Sequence, residues 1–150
     1  MNLDALLDGS FEQLADKPEF KPYPRGQHAV QVFFKPKQFG EKGKDGEGYE
    51  VKFKYSEVAE LVDPENDVPP KAGAEATLQF NMTSKEDFIR EAGQGNMKMI
   101  FRAMAEKYPG MSPRQMLEAG SGDFAVITTG LRKNKDKTQE FLTLEAITWA

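Results

Sequence analysis

Along the chain the spacing of apolar residues switches between about 3.6 and 2, and each switch predicts an element. LDALLD places Leu3, Leu6 and Leu7 at helical spacing with acids between them, which predicts a short amphipathic helix. The proline-punctuated KPEFKPYPRG then reads as a connector. In HAVQVFF the period is two: His28, Val30, Val32 and Phe34 share one face, Ala29, Gln31 and Phe33 the other. Lys35 to Gly48 carries four glycines and alternating charges, which predicts a loop. YEVKFKYSEVAELV resumes the alternation, with Tyr49, Val51, Phe53 and Tyr55 on one side and Glu50, Lys52 and Lys54 on the other. The two strands make a long hairpin. After the turn-rich DPENDVPPKAG, AEATLQFNM predicts a third strand with Ala76, Leu78, Phe80 and Met82 inward.

Helical spacing follows. Ser84 is placed to cap a helix opening KEDF, and Met97, Ile100, Phe101 and Met104 form an apolar stripe. SPRQMLEAG has a cap, an early proline and a closing glycine, the marks of another short helix. FAVITTGLRK and QEFLTLEAITWA then predict two strands around NKDKT. The order of three strands, helices and two strands predicts a mainly β chain with an α insert (α+β). Its expected architecture is a five-stranded antiparallel barrel of the OB type, with the helices between strands 3 and 4 plugging one end. No repeat or low-complexity tract marks a boundary, so residues 1–150 read as one domain with an acidic N-terminal arm over 1–24.

Charge changes this picture more than composition does. The net charge is -4, yet residues 25–55 carry seven Lys or Arg against four acids, and residues 56–91 carry three against nine. A basic region therefore sits inside an acidic chain, and local charges set the field near a surface. The early acids and missing basic n-region of MNLDALLDGSFEQLADK are unlike a secretory signal, and no apolar run approaches the roughly 20 residues of a membrane helix.

The residues offer little to an enzyme. There is no cysteine and one histidine, His28, which opens a strand and reads as a packed or partly exposed residue rather than a base. GKDGEG lacks the ending of a P-loop, and AGQGNMK reads as a plain helix start. DPENDVPPKAGAE has Val68 where a calcium loop needs glycine. No acid pair stands out by its spacing. The expectation is a chain with no catalytic residue, no metal and no cofactor.

The basic hairpins point elsewhere. In an OB barrel the loops between strands 1 and 2 and between strands 4 and 5 flank the binding face. Here the first holds Lys35, Lys37, Lys42 and Lys44, and the second Arg132, Lys133, Lys135 and Lys137. Phe33 is expected to face outward beside Lys52, Lys54, Gln79 and Asn81, and Phe39 to sit at the loop tip. Lysines that neutralise phosphates and rings that stack on bases are what a single strand of nucleic acid requires. The competing expectation is a protein-interaction module using the acidic surface. The acids of 56–91 are expected to face away from the groove, free for another protein or a second copy of the chain.

YPRGQHAVQV, the hairpin, PKAGAEATLQFNM, GNMKMIFRAM and the closing FAVITTGLRKNKDKTQEFLTLEAI together resemble small single-stranded-DNA-binding proteins of tailed bacteriophages, over about residues 22–148. The resemblance implies an OB-fold that coats single-stranded DNA, with little sequence preference, during phage replication or recombination. It also implies a replication or recombination protein as partner, no membrane, and a place in the cytoplasm of an infected bacterial host. Many such proteins end in an acidic recruiting tail, whereas this chain ends LEAITWA.

Overall fold

The computed structural model describes residues 2–10, 23–133 and 140–150. Strands β1 (Gly26–Phe39), β2 (Gly46–Leu61), β3 (Glu75–Asn81), β4 (Phe124–Lys133) and β5 (Glu140–Trp149) form one antiparallel sheet in the order β3-β2-β1-β4-β5. Helices α1 (Leu3–Asp8), α2 (Asp87–Ala105) and α3 (Pro113–Gly120) complete the elements, α2 and α3 lying between β3 and β4. The sheet does not close: β3 and β5 are its two edges. Helix α2 packs against both of them, so it covers the side on which a barrel would be sealed by strand pairing.

Alternation sets the inward face as expected. Val30 and Val32 of β1, Val51 and Phe53 of β2 and Ile127 of β4 are fully buried. Against them α2 lays Met97, Ile100 and Met104, also fully buried, at i, i+3 and i+7. Each such side chain contributes about 1.5–3 kcal/mol by leaving water, which makes this layer the main source of stability. Gly93 lets α2 approach β3, since a Cβ there would strike the backbone of Asn81.

Three expectations need correction. The segment 35–48 is mostly strand: β1 continues to Phe39, β2 starts at Gly46, and Lys35 pairs with Glu50 and Lys37 with Gly48. Ladder hydrogen bonds need only backbone, so polar side chains do not end a hairpin, and the tip shrinks to a 3-10 turn at Glu41–Gly43. Ser84 is not the helix cap. Its Oγ accepts from the amide of Glu86, and Arg90 reaches back to the Ser84 carbonyl and the Asp87 carboxylate, so α2 starts at Asp87. AGQGNMK lies inside α2 rather than at its start, where its amides serve the helix. Helix α3 agrees with its sequence signals, with Ser112 and Gln115 forming a reciprocal capping box and Pro113 in the first turn.

Two polar clusters pin the ends of the sheet. Asp123 accepts from Tyr108 Oη, Trp149 Nε1 at 3.0 Å and Lys107 Nζ at 3.2 Å, joining the end of α2 to the end of β5. Burial acts to raise the Asp123 pKa, but those three donors together hold the carboxylate below its ordinary value. Trp149 also stacks on Phe34, with centroids 6.1 Å apart. At the other end Tyr23 donates to the carbonyls of Phe53 and Ala74, and burial pushes its phenol up to about 12. His28, fully buried between Tyr23 and Tyr55, donates Nε2–H to the Pro24 carbonyl at 2.7 Å, while Nδ1 has no partner. Burial lowers its pKa, which favours the neutral ring, against the opposing hydrogen bond to the Pro24 carbonyl.

Candidate nucleic-acid interface

Residues directly opposite in an antiparallel ladder share a face, so the register locates the outward side chains. Phe33 stands opposite Lys52, which stands opposite Thr77. Gln31 is opposite both Lys54 and Phe124, and Lys54 is opposite Glu75. Lys35 is opposite Glu50, and Glu50 opposite Gln79. The outward face therefore carries Phe33, half-buried beside Gly122, and Phe124, which is 53% exposed. The two rings are diagonal neighbours across β1 and β4. Lys35, Lys52 and Lys54 leave the same face, and Lys52 Nζ lies 3.7 Å from Glu75 Oε2. At Gly122 φ is +96°, a left-handed conformation that suits glycine, in the turn that delivers Phe124 to the start of β4.

The remaining expected site residues divide. Phe39, Lys44 and Arg132 line one cleft of about 810 Å³ between the β3 and β5 edges, over the first turns of α2. Phe39 is half-buried there, at the end of β1 rather than at the loop tip. The turn ends of the two hairpins thus meet, but at the seam of the sheet and not on the outward face. Lys37 is half-buried in a separate shallow depression with Tyr49 and Met82, while Lys42 and Lys133 are exposed. Lys135 and Lys137 lie outside the described residues. Asn81, expected outward, is 9% exposed and donates to the Asp45 carbonyl, holding the base of the hairpin tip.

Nor are the acids segregated. Glu75 meets Lys52 on the outward face, and Glu57, opposite Ala29, lies on that face beyond a β-bulge. Glu86 lines the same cleft as Lys44 and Arg132. The outward face is graded along β2, from Lys52 and Lys54 to Glu57 and Glu60.

Phe124 is the residue that sequence reasoning missed. In FAVITTG, Ala125 and Ile127 are inward, so the alternation already assigned Phe124 to the outer side. Among the described residues no group of three or more His, Cys, Asp or Glu is placed to hold a metal, and no helix is long and apolar enough to cross a membrane. Comparison with protein-family models, curated proteins and solved structures gave no match.

Proposed function

We propose that the chain is an OB-type fold whose β3–β5 seam is spanned by α2, and that it binds single-stranded DNA on the outward face of β1, β2 and β4. The observation that carries this reading is the placement of Phe33 beside Lys52, with Phe124 diagonal to Phe33 and Lys54 on the same face across Gln31. Phe124 has no core to serve at 53% exposure, and an exposed ring on a face that also carries amines suits a stacked base with its phosphate. Sheet faces offer π-stacking to any base, so little sequence preference follows. The strand order and the helical insert support the OB reading, since both agree with that fold's expected layout. The phage resemblance supplies the setting: coating of single strands during replication or recombination in the cytoplasm of an infected bacterium.

The test is a polarisation titration of labelled oligo-dT, run beside the matching RNA and a duplex, over a salt series. Micromolar or tighter binding to oligo-dT that weakens steeply with salt is expected, with the duplex much weaker. Equal affinity for single strand and duplex would mean charge alone is read and would remove the stacking face from the account.

A further inference from the structure

Helix α1 is six residues long, with Asn2 capping it by accepting from the Ala5 amide at 2.8 Å. Isolated helices below about 12–15 residues are marginal in water, so α1 needs a surface to rest on. Leu3 and Leu7, one turn apart, are 67% and 70% exposed. Its charged residues are Asp4 and Asp8, with no base. An apolar stripe flanked by acids is thus presented without a seat.

The cleft between β3 and β5 is a complementary surface. Its lining includes the apolar Leu78, Phe88, Ile89 and Leu142, and Phe88 and Ile89 are left 78% and 41% exposed. Lys44, Lys85 and Arg132 stand around it against Asp45 and Glu86, which leaves the lining net positive. At about 810 Å³ it has the size of pockets that enclose several side chains. Two exposed rings or branched chains on the first turns of a helix, beside an unpaired sheet edge, are a surface that a partner would cover.

We propose that this cleft is the seat of the chain's own N-terminal helix, with Leu3 and Leu7 against Phe88 and Ile89 and with Asp4 and Asp8 towards Lys44, Lys85 and Arg132. The tether is long enough. Residues 9–22 supply fourteen links, which reach up to about 46 Å. They lead to Tyr23, which is held at the Ala74 carbonyl, and Leu78 lies only about 13 Å further along β3. A second copy of the chain has the same helix, but a tethered segment acts at millimolar effective concentration, which favours the chain's own. The seat is independent of what the outward face binds.

The chain has no cysteine, so an engineered pair reports without interference. In the full chain, Leu7→Cys with Phe88→Cys is oxidised mildly and read by non-reducing gel and peptide mass. An intrachain cross-link is expected. A cross-linked dimer would assign the seat to a second copy and overturn the proposal, as would no cross-link. A second variant, Leu3→Ser with Leu7→Ser, changes only exposed side chains and is compared with the parent by amide NMR. Shifts at Phe88, Ile89 and Leu142 are expected; shifts confined to residues 2–10 would overturn the proposal. So would cleft amides that ignore this variant and move when oligo-dT is added, since the occupant would then be nucleic acid.

Discussion

Phe33 of β1 stands directly across from Lys52 of β2, so a ring and an amine leave the sheet side by side, and Lys52 reaches on to Glu75 of β3 at 3.7 Å. An aromatic, a cation and an anion are thereby lined up across three strands. A base stacked on Phe33 would bring its phosphate within range of Lys52, in competition with Glu75. Phe124, diagonal to Phe33, extends the platform by a second ring.

Phe33→Ala and Phe124→Ala are each expected to weaken oligo-dT binding by about 1–3 kcal/mol with an unchanged salt slope, since stacking releases no counterions. Phe39→Ala, which alters a half-buried ring in the cleft, should have the smaller effect. Polarisation titrations at three salt concentrations read both quantities.

Glu75→Gln removes the carboxylate that holds Lys52. An exposed pair of this kind is worth little to stability, so the fold should be unaffected. Affinity for oligo-dT should rise at low salt, and the log–log salt slope should steepen by up to about 0.7, the share of one more phosphate contact on a single strand. Unchanged affinity would place the DNA away from Lys52.

The sequence was most legible where a face is buried. The inward sets of β1, β2 and β3, the Met97–Ile100–Met104 stripe and the Ser112 cap are all as expected, because burial and capping leave a direct mark on residue type. It was least legible in the hairpin. Lys35 and Lys37 look like loop residues, yet they sit in a ladder held by backbone bonds that side chains do not announce. The same limit hid the meeting of Lys44 and Arg132, 88 positions apart in the sequence, at the seam rather than on the outward face. That placement depends on how far the sheet curls and where α2 lies, and no local pattern encodes either.

Gly93 and Gly95 sit two residues apart in α2, and they should respond to alanine in opposite ways. A Cβ at Gly93 would collide with the Asn81 backbone, so Gly93→Ala should cost about 1–3 kcal/mol through forced separation of α2 and β3. Gly95 has nothing within 4 Å of such a Cβ, and Gly95→Ala should stabilise the chain by about 0.5–1 kcal/mol. Urea unfolding followed by Trp149, the single tryptophan, measures both.

His28 makes stability depend on pH. Burial holds it below its ordinary value, so on acidification the unfolded chain takes up this proton before the folded chain does. Its contribution is complete above about 6.5, the unfolded value, and is lost as pH falls through the folded one. The urea midpoint should therefore drop between about pH 7.5 and pH 5.5. His28→Gln, which keeps a donor for Pro24, should show a shallower drop over the same range. Parallel pH dependence of parent and variant would assign the effect to other groups.

An amide NMR titration of the full chain with oligo-dT, followed residue by residue, locates the bound strand on the sheet. Binding on the outward face predicts that Gln31, Phe33, Lys52, Lys54 and Phe124 shift together with added DNA, while residues at the Glu57 and Glu60 end of β2 stay in place. A spectrum that does not move at low salt, or one that moves only around Glu57 and Glu60, would contradict it.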